Sequence, residues 1–254
     1  MRASGGRGCH PCGTAGSNPN KLQGTGDGLA TRHGGGRGAQ CPMGTGEGGG
    51  VAGRRRESVR FGVWNVWGLK DKKPMLVREA NRYGLELVGL SETKYKGTGL
   101  RALDDGWQLF YSGVGPEAHA SAGVGILTSP RMAELVIEWT PRSERVGVLR
   151  LQMKSEIIAF VVVYAPNAEA KYEGFLEELG LALDSVPASD SLVLLGDFNA
   201  HVGVDDTRWK GVIGRNGDAS FNANGRHLLD FCSANGLSIM NTYFRHRGIH
   251  KYTW

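Results

Sequence analysis

Three apolar runs in this chain each stop at a carboxylate, an amide or both, and that pattern narrows the possible folds most. Residues 61–64 end at Asn65, residues 85–90 run into Ser91-Glu92-Thr93-Lys94, and residues 192–195 end at Gly196-Asp197-Phe198-Asn199. Each run has the length and the Val, Leu and aromatic content of a buried strand. A strand that is apolar along its body and polar at its end sets a functional group at the rim of a rigid sheet. Taken singly, a carboxylate at a strand end is more often a turn or helix-cap group. Three such ends on separate strands mark a candidate site.

The segments between these runs point to one architecture. Leu76, Ala80 and Tyr83, with Pro74 near the first turn, predict a short helix. Residues 107–111, 123–127, 132–139, 146–153 and 157–164 are short Val-, Ile- and aromatic-rich runs divided by Gly, Pro and Ser, and read as strands. Tyr172, Phe175, Leu176, Leu179 and Leu183 recur at helical spacing. A last helix carries Leu228, Leu229, Phe231 and Cys232 and stops at Asn235-Gly236. Residues 238–244 and 251–254 read as strand pieces. Most strands fall between the first two helices, so the pattern is not a regular βαβ alternation. It predicts an α/β two-sheet sandwich with flanking helices.

Composition separates this unit from what precedes it. Residues 1–53 hold 18 of the 40 glycines, and Leu22, Leu29 and Val51 are nearly their only aliphatic residues. Such a segment cannot bury enough apolar surface to offset the entropy of ordering it. Residues 1–58 are therefore read as a disordered Gly/Arg-rich tail, and 59–254 as the folded domain. Eight Lys/Arg against three Asp/Glu in the tail, and equal numbers after it, place the whole net charge of +5 in the tail. With Arg54-Arg55-Arg56 at its end, the tail could touch phosphate, and an unselected leader is the competing reading. Cys9 and Cys12 form a CxxC with His10 inside it and His33 and Cys41 downstream. No second metal-binding pair follows, which argues against structural zinc. Cys232, on the apolar side of its helix, reads as an inert core thiol. No secretory leader or membrane-spanning run is expected, and the expected location is nuclear or cytoplasmic.

The polar strand ends define the chemistry. Two carboxylates with neighbouring amides form an all-oxygen donor set. That set suits a hard cation, Mg²⁺ with Mn²⁺ as the alternative, which would draw the rest of its shell from water and substrate phosphate.

Asn65, Ser91-Glu92-Thr93-Lys94, Tyr164-Ala165-Pro166 and Gly196-Asp197-Phe198-Asn199-Ala200 occur in this order, each after a strand. This ordered set resembles the endonuclease/exonuclease/phosphatase family over about residues 59–254. The resemblance implies a DNase I-like fold and a Mg²⁺-dependent endonuclease acting on nucleic acid, DNA foremost. It implies Glu92 as principal metal ligand with Asn65 beside it, and Asp197 orienting or deprotonating the attacking water. Asn199 and Tyr164 would hold the scissile phosphate. Lys94 and Lys96, by their place beside Glu92, are candidates for further substrate contact. Asn222-Ala223-Asn224-Gly225-Arg226, Asn241-Thr242-Tyr243-Phe244 and Lys251-Tyr252-Thr253-Trp254 are similar to the retrotransposon-type branch. His201 reads as a loop residue beside the cleft. Trp209, Lys210 and Arg215 are candidates for backbone contact, with a solvated loop as the equal reading.

In relatives, sequence beyond the Tyr-Thr-Trp strand supplies a further aspartate and an Asp-His pair. Neither His246 nor His250 stands in that place, so the last catalytic strands are expected to be missing here. That expectation carries an alternative to the nuclease: an inactive, transposon-derived remnant that binds nucleic acid or metal at most.

Overall fold

The computed structural model describes residues 59–245 and the backbone of Ala30–Arg32. The strands are β1 (Ala30–Arg32), β2 (Phe61–Asn65), β3 (Leu87–Ser91), β4 (Thr98–Ala102), β5 (Gln108–Ser112), β6 (Val124–Thr128), β7 (Val136–Pro141), β8 (Val146–Gln152), β9 (Ile157–Tyr164), β10 (Ser191–Asp197) and β11 (Ser238–Ile239). The helices are α1 (Lys73–Tyr83), α2 (Pro130–Ala133), α3 (Tyr172–Asp184) and α4 (Ala223–Ala234). The strands form two sheets, ordered β11-β1-β10-β9-β8-β7 and β2-β3-β6-β5-β4. This is the expected α/β two-sheet sandwich with flanking helices.

Side-chain alternation builds the layers. Along β9, Phe160 and Val162 face the second sheet, where they meet Leu87, Phe110, Val124 and Ile126. The intervening Ala159, Val161 and Val163 face α3 and α4, against Tyr172, Phe175, Leu179 and Leu229. A strand buried on both faces reads as a continuous apolar run, as β9 does. On the other side, Leu76, Val77 and Ala80 of α1 cover Val88, Leu90, Leu109 and Leu127. Gly89 sets the spacing between the sheets, because a Cβ there would lie 1.8 Å from Leu195 Cδ1.

Each sheet contains one parallel pair, and those pairs position the site. β2 runs parallel to β3 with Asn65 opposite Ser91, and β10 runs parallel to β9 with Asp197 opposite Tyr164. The remaining pairings of named strands are antiparallel. Parallel strands end side by side, so two polar termini per sheet are delivered to one edge of the sandwich.

The structure departs from the sequence reading at four places. Residues 132–139 are not one strand. Ser129 caps α2, its Oγ accepting from Met132 N at 3.4 Å, with Pro130 in the first turn, and the strand begins at Val136. Residues 238–244 form only the two-residue β11 before turning into a 3₁₀ segment, Met240–Thr242. β4 was not anticipated: it is mostly exposed at a sheet edge and shows no apolar alternation. Within the Gly-rich segment, Ala30–Arg32 forms a strand between β10 and β11, with Ala30 opposite both Leu194 and Ile239. The free edge of β10 offers backbone donors and acceptors that even a short segment can meet. The rest of the tail, its Cys/His cluster and arginine run, and residues 246–254 lie outside the described residues. Among the described residues, no helix is long and apolar enough to cross a membrane.

Candidate active site

At the rim of the sandwich one side chain bonds to a carboxylate from each sheet. Asn65 Nδ2, at the end of β2, donates at 3.0 Å to Glu92 Oε1 and at 3.0 Å to Asp197 Oδ2. Glu92 follows β3 in the same sheet, whereas Asp197 ends β10 in the other. Tyr164, at the end of β9, sets its phenol beside the Glu92 carboxylate, which acts on its ionisation, and closes the set. Of the residues singled out from sequence, Asn65, Glu92, Tyr164, Asp197 and Asn199 are thus brought together.

The backbone around them is held in unusual conformations. Five described non-glycine residues have positive φ, and four belong to this region: Trp67 (42°), Glu92 (55°), Lys94 (54°) and Asn199 (46°). Left-handed backbone at residues with a Cβ costs energy and persists only where its surroundings enforce it. Here the enforcement is visible. Val66 N, Gly68 N and Leu69 N donate to the carbonyls of Ser91, Glu92 and Thr93, at 3.0, 2.7 and 3.0 Å. On the other side, Thr93 N and Lys94 N donate to Gly123 O and Ala122 O. Glu92 is therefore clamped between two backbone ladders. Gly196 precedes Asp197 at φ 140°, and a Cβ there would lie 2.0 Å from Val163 O.

Electrostatics separate the roles. Asp197 is 4% exposed. Burial pushes its carboxyl above the usual carboxylate range, and the facing Glu92 charge acts in the same direction. Asn199 N–H, at 3.0 Å from Oδ1, and the Asn65 amide pull the other way without reversing the shift. Burial, then the hydrogen bond and charge of Glu92, hold the Tyr164 phenol far above its usual range, so it keeps its proton as a donor. Arg145 opposes this weakly; its guanidinium lies 5.2 Å from the Tyr164 ring centroid and donates to Tyr164 O at 2.9 Å.

The donor set bears on the cation that the family resemblance implies. Among the described residues no group of three or more His, Cys, Asp or Glu comes together. Two carboxylates, a phenol and amides do, all hard oxygen donors, which fits a cation that keeps much of its water. Glu92 is half-buried, with Oε1 accepting from Asn65. Asn65 presents its NH₂ to the carboxylates while its Oδ1 accepts from Trp67 N at 3.2 Å, so ligation by Asn65 requires that oxygen to leave the Trp67 N–H.

Other sequence candidates occupy distinct positions. Asn199 turns its side-chain amide to Ala165 O at 2.7 Å. Lys94 stands at the rim with Nζ 5.4 Å from the Trp67 ring centroid, and Lys96 Nζ donates to Pro116 O at 2.6 Å. His201 is exposed, its backbone N–H donating to Asn222 Oδ1 at 3.0 Å. Lys210 and Arg215 line a groove of about 680 Å³ with Asp206 and Tyr243, Arg215 paired to Asp206 at 3.2 Å. Trp209 packs against the helix-side core. Cys232 is fully buried, and burial pushes its thiol up to about 12.

Three residues of the site escaped sequence reading: Trp67, Arg145 and Asn224. Asn224 is buried, and its Nδ2 donates to Asn199 O, Asn167 O and Pro166 O at 3.0 to 3.4 Å, tying three loop segments together. Its place in the Asn-Ala-Asn-Gly run at the start of α4 was its only sequence signal.

A two-sheet sandwich with carboxylates, a phenol and amides converging at one edge defines a fold and donor set suited to phosphate chemistry. The chain belongs to the endonuclease/exonuclease/phosphatase family, whose model matches residues 62–248. It is 33% identical over 204 residues to craniofacial development protein 2 of Tragulus javanicus, covering 78% of this chain and 34% of that protein. The Bos taurus protein of the same name is 32% identical, with 78% and 33% covered. The chain thus spans about a third of the length of these curated relatives. Among solved structures it is similar to the endonuclease domain of TRAS1, a telomere-specific non-LTR retrotransposon (18% identity, 70% of each chain, TM-score 0.49). It is similar also to an AP endonuclease from Archaeoglobus fulgidus (16% identity, 70% and 71% covered, TM-score 0.49).

Proposed function

We propose that the protein is a divalent-cation-dependent phosphodiesterase that hydrolyses nucleic acid, with DNA as the substrate and Mg²⁺ as the ion. The observation carrying this reading is the Asn65 amide, bonded at 3.0 Å to a carboxylate from each sheet. Two acidic groups brought this close at the end of rigid strands are expensive to hold together unless a cation or a reacting proton uses them.

The roles follow from the environments. Asp197, with its pKa raised by burial, is a stronger base than an ordinary carboxylate and is oriented by two N–H donors toward an attacking water. Tyr164 keeps its proton and can donate to a phosphate oxygen as charge builds there. Glu92 would hold the cation, with Asn65 beside it. Bound there, the ion supplies neutralisation of charge on the phosphate oxygens. Asn199 fixes Asp197 through its peptide N–H, and its folded-back side chain keeps that peptide in place.

The test is nicking of supercoiled plasmid and cleavage of an abasic-site duplex, in Mg²⁺, in Mn²⁺ and in EDTA. Glu92→Ala and Asp197→Asn are each expected to lose at least roughly a thousandfold in kcat, and the double variant little more, since such groups act as a unit. Wild-type protein that cuts neither substrate in either metal would overturn the reading and leave the inactive remnant in its place.

A further inference from the structure

Trp67 is 70% exposed and belongs to none of the three hydrophobic clusters, although its neighbours Val66 and Leu69 are core residues. An exposed tryptophan alone means little. This one is held in place. Its φ is 42°, a conformation that bulky L residues rarely adopt. Its N–H donates to Asn65 Oδ1 at 3.2 Å, and the next N–H, of Gly68, donates to Glu92 O at 2.7 Å. Lys72 Nζ donates to the Trp67 and Val66 carbonyls at 3.3 and 2.5 Å. The indole is thus carried on a stretch of backbone bonded directly to two residues of the active site. Lys94, two residues beyond Glu92 and likewise left-handed, sets its ammonium over the indole ring, 5.4 Å from the centroid.

We infer that Trp67 is a base-stacking platform at the rim of the active site, with Lys94 as the phosphate contact beside it. The site therefore takes a nucleotide whose base is unstacked next to the bond being cut. This inference rests on the nucleic-acid reading above. A rigid aromatic face paired with a cation matches the two parts of a nucleotide, an aromatic ring and an anionic phosphate. Stacking accepts any base, so the platform selects local strand opening (a flap, a frayed end, an unpaired base) rather than sequence. An unmodified protein partner or a sugar phosphate would lack the ring and phosphate in that combination.

The test couples the protein to its substrate. Wild type, Trp67→Ala and Trp67→Phe are assayed on an oligonucleotide with a defined cleavage site, and on a series in which each nucleotide flanking that site in turn is replaced by a baseless tetrahydrofuran residue. On the parent oligonucleotide, Trp67→Ala is expected to raise KM by roughly ten- to a hundredfold, with kcat changed far less and Trp67→Phe restoring most of the loss. At one flanking position the baseless substitution should weaken wild type to the level of the alanine variant and leave that variant unchanged. If wild type cuts and Trp67→Ala cuts equally well, or loses the same factor on every baseless substrate, the platform is wrong and the nuclease reading stands. If wild type cuts no oligonucleotide, the nuclease reading fails and the platform falls with it.

Discussion

Asn65 has one amide and three demands on it. Its NH₂ serves two carboxylates while its oxygen serves the N–H of Trp67. Asp197 feels this amide as one of the two hydrogen bonds that favour its charged form against burial. Burial raises the Asp197 pKa from its ordinary 3.8, and a carboxyl below its own pKa holds the proton that a base must accept. If Asp197 is the base, the acid limb of kcat/KM is expected above the ordinary carboxylate range. Removing a donor to the carboxylate raises the pKa further, so Asn65→Ala should move that limb to higher pH as well as lower the plateau. A pH–rate profile that falls in height but keeps its acid limb in place would show that Asn65 serves the cation and not Asp197. Sequence pattern went far at this scale. Asn65, Glu92, Asp197 and Asn199 all announced themselves by ending apolar runs. Trp67 did not, because a tryptophan beside a glycine looks like any core residue until the backbone turns it outward.

The elements that brace the site were harder to read, because bracing is tertiary. The start of α4 is the clearest case. Asn222 Oδ1 caps the helix by accepting from Gly225 N at 2.7 Å, and the same oxygen accepts from His201 N at 3.0 Å. Gly225 lets the helix approach so closely that a Cβ there would lie 1.8 Å from His201 O. The turn after β10 is therefore fastened to a helix that begins more than twenty residues later. Asn222→Ala should cost about 1–2 kcal/mol, the upper part of the range for a helix cap, because two N–H groups lose their partner. Asn222→Asp, which keeps the accepting oxygen, should stay within a few tenths of wild type in urea denaturation. Equal losses for both variants would mean that shape, not hydrogen bonding, sets the position. From sequence, Asn-Ala-Asn-Gly stood out only for its resemblance to the retrotransposon-type branch, and nothing local showed what it fastens. The strand expected over 132–139 failed for the opposite reason: Ser129-Pro130 is a local helix-start signal that was read only as a divider between strands. β4 left no signal at all, since an exposed edge strand has no face to alternate.

At the scale of the whole molecule, the candidate site is a property of the sandwich rather than of either sheet. Asn65 and Glu92 ride on one sheet, Tyr164 and Asp197 on the other, and the inner core between them sets their separation. Phe160 of β9 is part of that spacer, packed edge-on against Phe61 of β2 with ring centroids 5.6 Å apart and an interplanar angle of 71°. Phe175 is as well buried but lies in the separate cluster between α3, α4 and the outer face of one sheet. Phe160→Leu and Phe175→Leu change the same volume and should each cost about 1–2 kcal/mol, since leucine refills part of the space. Their effects on catalysis should differ. A shift between the sheets changes the distance from Glu92 to Asp197, and misplacement of about 1 Å can cost on the order of a hundredfold in rate. A shift of α3 against the outer face leaves that distance alone. With both variants fully folded, Phe160→Leu is expected to lose about tenfold or more in kcat and Phe175→Leu less than twofold. Equal kcat at equal stability loss would mean that each half of the site is held by its own sheet, and that the Asn65 bridge follows the geometry instead of the core setting it.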